Sequence, residues 1–527
     1  MICTRLAAFS AACLFTLLGA LPETAAQTSR GVISPITAQR YGLNRAWFTQ
    51  IELDRARGRV VDLRQHVSAA RGYTIVYAVG EGVRVPFSER DLDSFGDPVG
   101  KAGAKARARE HLAELRARGL DPYLEEVVVP EISLYATTDR GVVHAIDGET
   151  GRTRWSTQVG NPDFPTTQAD ANDAYVALLN GSDLYLLDRE TGGLIWKRRC
   201  TGVPGAGPAI SADLVFVPTV SGMVESFALT DPKAPTSRFH STGRAITQPR
   251  IATNSVAWPT DRGYMYVGQP NKRGIRFRIQ TNYFIVASAA CATPNRLFIT
   301  SLDGYVYCLN EFSGAVLWRF STGEPISQTP AVIGEDVYVV TDDGSLFKLG
   351  RDSGLEEWWF PGVRQLVSVS GPKLYAVSEA GRLMVLATAS GARLGEAPVD
   401  HLDLIFTNLQ TDRLFVGTTT GTLQCLHELD NDLPVVHSHV EAAAAPPVQV
   451  QDCGPAAGPA APADPGDDPF GAGPAGGNDP FGGGNDPFGG GNAPPAGGNN
   501  PFGGGNNPPA GGNDPFGGGA DPFGGAA

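Results

Sequence analysis

Tyr135-Ala-Thr-Thr-Asp-Arg-Gly141-Val-Val-His-Ala-Ile-Asp147-Gly-Glu-Thr150-Gly151-Arg-Thr-Arg-Trp155 is the stretch on which the fold turns. It holds two glycine-bearing turns, short runs of apolar and β-branched residues beside them, and a closing tryptophan. The unit recurs around Gly181, Gly222, Gly263, Gly304, Gly344, Gly381 and Gly421, at successive separations of 40, 41, 41, 41, 40, 37 and 40 residues. So even a period marks a repeat architecture.

Within each period the pattern reads as strands. Asp336-Val-Tyr-Val-Val-Thr341 and Gly344-Ser-Leu-Phe-Lys-Leu349 are short, alternating and rich in β-branched and aromatic residues, with Asp-Asp-Gly as a tight turn between them. A second turn at Ser353-Gly354 leads to a strand carrying Trp358, and Thr329-Pro-Ala-Val-Ile333 supplies a strand before the pair. A lone four-stranded sheet cannot bury both faces, whereas neighbours stacked radially can. The sequence therefore predicts an all-β fold: an eight-bladed β-propeller of four-stranded antiparallel blades, with a small helical insertion and a C-terminal tail lacking fixed structure.

Four residues after the second glycine stand Trp155, Trp196, Trp318 and Trp358; Phe239 and Phe277 take that place in diverged repeats, and repeat seven has only Gly395. A flat ring at a fixed place in each last strand suits docking between adjacent sheets better than stacking a sugar or cofactor. Repeat eight lacks such a strand, but Arg45-Ala-Trp47-Phe-Thr-Gln-Ile51 resembles Thr153-Arg-Trp155-Ser-Thr-Gln-Val159. Residues 45–53 are thus expected to complete the last blade and remove its open edge.

Ala145-Ile-Asp147-Gly-Glu-Thr150-Gly151-Arg-Thr-Arg-Trp155, Leu187-Asp188-Arg-Glu-Thr191-Gly192-Gly-Leu-Ile-Trp196 and Leu309-Asn310-Glu-Phe-Ser313-Gly314-Ala-Val-Leu-Trp318 resemble the tryptophan-docking repeat of pyrroloquinoline-quinone-type (PQQ-like) propellers. The resemblance covers roughly residues 40–430. It implies the fold and leaves two branches for function: quinoprotein dehydrogenases, and non-catalytic scaffolds of the BamB-like kind. The dehydrogenase branch implies a pair of adjacent cysteines and long insertions with a calcium site; the sequence has no Cys-Cys pair and its units are uniform. Neither PQQ nor calcium is expected as a cofactor, and no catalytic, cofactor-binding or metal-binding residue is assigned. Asp147, Asp188 and Asn310 lie inside the repeat turn, where a short polar side chain bonds to its own backbone.

Residues 1–26 read as a signal peptide: Arg5, an apolar run from Leu6 to Leu21, then Thr24-Ala25-Ala26 before a cleavage expected after Ala26. A secreted or periplasmic location follows, with no transmembrane segment in the mature chain and peripheral envelope association left open. Cys13 lacks the aliphatic residue three before it that a lipid-attachment site wants. The later cysteines, Cys200, Cys291, Cys308, Cys425 and Cys453, are odd in number and scattered, without CxxC spacing, so neither a disulfide framework nor a zinc site is indicated. His437-Ser-His439 is the one histidine cluster and reads as an exposed junction. After Arg413 there is no Lys or Arg but twelve acids, which accounts for most of the formal net charge of −13. The nearly neutral remainder has no basic footprint for phosphates, so nucleic acid is not a partner.

The propeller is assigned to residues 27–440, with an insertion over about 81–129 that breaks the blade pattern. Lys101 to Arg118 reads as a helix with Ala104, Ala108, Leu112 and Leu115 on one face, ended by Gly119. Residues 441–527 turn to Ala, Pro, Gly, Asn and Asp and are expected to be disordered. Asn-Asp-Pro-Phe-Gly-Gly-Gly recurs there, and Phe470, Phe481, Phe488, Phe502, Phe516 and Phe523 are candidate weak, multivalent contacts for a protein partner. The expected function is an extracytoplasmic, non-catalytic scaffold for protein–protein interaction, in envelope or cell-surface assembly. A quinone-dependent dehydrogenase-like enzyme and a structural cell-surface component are the alternatives.

Overall fold

The computed structural model describes residues 32–437, apart from 54–57, 81, 271, 273, 400 and 401. The leader (1–26), His439 and the six tail phenylalanines lie outside the described residues. Eight antiparallel sheets follow one another along the chain, and each successive sheet is one blade. Blade 2 shows the plan: Asp170–Ala171 innermost, then Tyr175–Asn180, Asp183–Asp188 and Leu194–Arg199 outermost. Every repeat-anchor glycine, Gly141 through Gly421, has positive φ. That backbone, which L side chains resist, closes the hairpin between each blade's two central strands.

Alternation along the central strands places the core between blades. In Tyr175–Asn180, Val176 and Leu178 face blade 1 while Ala177 and Leu179 face blade 3. Eight such clusters occur, one between each neighbouring pair. The cluster joining blade 8 to blade 1 includes Trp47, Phe415 and Cys425 with Leu63, Leu134 and Ile146, so the ring is closed. Closure is made by Leu43–Gln50, which pairs antiparallel with Thr422–Glu428 as the outermost strand of blade 8, from Leu43↔Glu428 to Gln50↔Thr422, with a register shift between Arg45 and Trp47.

Blade 1 departs from the expected pattern. The 81–129 insertion does not interrupt the sheet but prolongs it: Val60–Gly80 runs 21 residues, pairs with Tyr123–Thr138 along its length, and carries Val83–Ser88 on its other side. This blade is therefore five-stranded and not four-stranded. The helix spans Gly100–Ala117 and buries Ala104, Ala108, Leu112 and Leu115, with the two alanines against Val76. Small residues let the helix lie close on the extended strands. The opposite face of the extension, with Ile75, Tyr77 and Val129, packs against Leu433.

Candidate interaction face

The recurring rings bridge blades by a repeated contact. The indole N–H donates to a carbonyl in the last turn of the next blade: Trp47 to Gly148 (2.9 Å), Trp155 to Arg189 (2.8 Å), Trp196 to Leu229 (2.8 Å), Trp318 to Arg351 (2.9 Å) and Trp358 to Thr388 (2.9 Å). Four of these rings lie flat on the positive-φ glycine of that turn, and a Cβ at Gly151, Gly192, Gly354 or Gly391 would sit 2.4–2.7 Å from the ring. Phe277 covers Gly314 in the same way, without a polar bond. Phe239 packs edge-on to Trp258 of the following blade, with ring centroids 5.7 Å apart. Where repeat seven has only Gly395, Tyr41 fills the space from the N-terminal segment, 3.2 Å from a Cβ built there.

The turn carboxylates are occupied locally. Asp147 Oδ1 accepts from the backbone N–H of Glu149 and Thr150 and from the Thr150 hydroxyl, and Asp188 and Asn310 repeat the arrangement. Cys200, Cys308 and Cys425 are buried free thiols; burial pushes Cys200 and Cys425 up to about 12. Such thiols are inert toward nucleophilic chemistry at neutral pH.

Polar side chains gather instead where the innermost strands meet. Residues of blades 1, 2 and 4–8, or of the connections entering them, line a central cavity of about 560 Å³. Arg64 Nε donates to Asp170 Oδ1 at 2.9 Å, and Asp170 Oδ2 accepts from the Ile210 N–H at 3.0 Å. Asp62 stands beside this pair. Burial pushes its carboxyl up to about 6; Arg64 opposes the shift and Asp170 adds to it. Amide side chains tie the rim across blades: Gln248 Nε2 donates to the Pro208 carbonyl (2.6 Å), Gln328 to that of Arg364 (2.9 Å) and Gln365 to that of Ile405 (3.1 Å). Reasoning from sequence missed this rim. The signal was there in Gln168, Gln248 and Gln328, spaced 80 residues apart.

The family model described as outer membrane protein assembly factor BamB matches residues 98–256 and 285–404, together more than half of the chain. The chain belongs to the BamB family of PQQ-like propellers. Among solved structures it is similar to BamB from Moraxella catarrhalis (16% identity, TM-score 0.47, 56% of this chain and 93% of that chain). A computationally designed protein, Ika8, is similar at 14% identity and TM-score 0.46, over 56% of this chain and 93% of that one. Among curated proteins, the β-alanine-activating enzyme of Danio rerio is 30% identical over 79 residues. That stretch is 14% of this chain and spans 7% of the enzyme's length.

Around the cavity mouth, this BamB-family propeller presents an apolar arc. The connections entering blades 2 to 5 are stitched by their backbones to the hairpins beside them: Gly181 N–H to Pro165 O, Val220 to Val203, Asp261 to Arg244 and Leu302 to Phe284. Phe164 (53% exposed), Val203 (65%), Ile246 (43%), Tyr283 (54%), Phe284 (44%) and Val286 (37%) stand out from these connections. The Tyr283 and Phe284 rings pack on each other at 4.7 Å. Asp342, Asp343 and Glu379, exposed on the hairpins of blades 6 and 7, make the other side of the same face acidic.

Proposed function

We propose that this BamB-family chain is an extracytoplasmic, non-catalytic scaffold that holds a protein partner on its loop face during envelope or cell-surface assembly. The observation that carries this reading is the arc of large apolar side chains on connections fixed by backbone hydrogen bonds. Large exposed apolar groups on successive connections of one face mark an interaction surface, where scattered ones would not. Because the connections are already ordered, docking loses little conformational freedom. The acidic half of the face would set orientation and favour a partner with basic residues there.

The test is photo-crosslinking in the cells that make the protein, from a benzoylphenylalanine placed at Ile246 or Phe284, with Asp352 on the opposite face as the control. Protein adducts from the two arc positions and none from position 352 are expected. Adducts spread equally over all three positions, or absent from the arc, would refute the assignment.

A further inference from the structure

One large apolar side chain is displayed more openly than any on the loop face. Phe95 is 89% exposed, with Leu92 beside it at 60%. The loop that carries them is fixed from within. Asp93 Oδ1 accepts from the backbone N–H of Phe95 (2.8 Å) and of Asp97 (3.0 Å), and the Asp93 N–H donates to the Asp97 carbonyl (2.8 Å). Gly96 supplies the positive φ that turns the chain back, and Arg107 of the helix donates to the Leu92 carbonyl. A loop held this way presents its ring already in place, which lowers the entropic cost of inserting it into a pocket. Glu89, Asp91, Asp93 and Asp97 lie within six residues of it in the chain, while Arg90 is drawn over the Tyr73 ring at 3.9 Å.

The sequence connects this knob to the tail. Phe95-Gly96 is the only Phe-Gly pair before residue 441, and every tail phenylalanine is followed by glycine. An aspartate stands two residues before Phe95 and before Phe470, Phe481, Phe488, Phe516 and Phe523; Asn500 takes that place before Phe502. Asp-x-Phe-Gly is thus written once into the folded blade extension and five times into the tail.

We propose that Phe95 and the five tail phenylalanines preceded by aspartate, Phe470, Phe481, Phe488, Phe516 and Phe523, are alternative plugs for one class of partner site: an apolar pocket sized for a phenyl ring, on a protein whose pocket rim carries Lys or Arg to meet the neighbouring carboxylate. Several copies on one chain raise the effective concentration of plugs at the partner without any single strong contact. The proposal stands independently of the loop-face reading, since neither Phe95 nor the tail belongs to that arc.

The experiment uses the full chain with benzoylphenylalanine at position 95 in one version and at position 516 in another, irradiated in envelope extract and analysed by mass spectrometry. The competitor is the synthetic peptide Gly-Gly-Asn-Asp-Pro-Phe-Gly-Gly-Gly, with its Phe-to-Ala and Asp-to-Asn versions alongside. Both positions should label the same protein, and the Phe peptide should cut both adducts at least tenfold where the two altered peptides do not. Labelling of different proteins, no adduct from position 95, or an adduct there that ignores the Phe peptide would overturn the proposal. Phe95→Ser should leave the melting temperature unchanged and weaken co-purification of the labelled protein, separating contact from misfolding. Arc probes at 246 and 284 read the loop-face assignment separately.

Discussion

Asp62 sits where the charge of the central cavity is decided. Its carboxyl is raised from the ordinary 3.8 to about 6, chiefly by burial. Between about pH 4 and pH 6 the folded chain keeps a proton that the unfolded chain has released. Stability therefore falls as pH rises through that window and stays at the lower level above it. The contribution is on the order of 3 kcal/mol. Asp62→Asn should flatten this part of the profile and raise stability at pH 7–8, with no gain below pH 4, in urea unfolding across a pH series. Nothing in the sequence marked Asp62. Its shift arises because the fold buries it beside the cavity, and Asp170, more than one hundred residues away, adds a smaller push.

Blade-to-blade contact is a property of elements, and one pair of substitutions isolates it. Gly192 has φ +69° and lies beneath the Trp155 ring, whereas a Cβ at Gly334, where φ is +63°, would meet nothing within 4 Å. Gly334→Ala should cost only the left-handed backbone strain, about 1–2 kcal/mol. Gly192→Ala should cost clearly more, because its Cβ would meet the ring at 2.5 Å, and thermal unfolding of the two variants gives the comparison. Trp155→Ala should cost about 3–5 kcal/mol, the usual range for a buried large aromatic. This level of organisation was legible: positive-φ glycines and flat rings are both spelled by residue type, and their period counted the blades. Two elements were not. Tyr41 replaces a missing ring from outside the repeat, so no period points to it. The prolonged strands of blade 1 were hidden because Val60–Gly80 shifts register between Ser68 and Tyr73, which breaks the alternation. Their free edge, Val83–Ser88, is blunted by Pro86, which has no N–H to offer, and by Asp91, whose carboxylate accepts from the Ser88 N–H at 2.8 Å.

For the whole molecule, closure depends on one strand. A chain lacking residues 1–51 would lose Leu43–Gln50 and Trp47, leaving Thr422–Glu428 as a bare edge and the core between blades 8 and 1 short of its ring. It should self-associate, giving a concentration-dependent rise in mass by light scattering. Ring closure was legible in the sequence because Arg45–Ile51 resembles Thr153–Val159, with Trp, Thr and Gln in the same places. The proposed interaction face was not, since it is assembled from connections of neighbouring blades, and a linear pattern does not say which loops share a rim.

The pairing of Leu43 with Glu428 also sets an order of events during synthesis. Among the described strands, the first to leave the ribosome has no mate until the last one follows it. Seven blades can settle in the meantime, but the seam stays unzipped while they do. A nascent chain of this kind therefore needs its opening segment kept from foreign strands until the end is made, and a messenger truncated just short of codon 422 would yield a ring that never shuts.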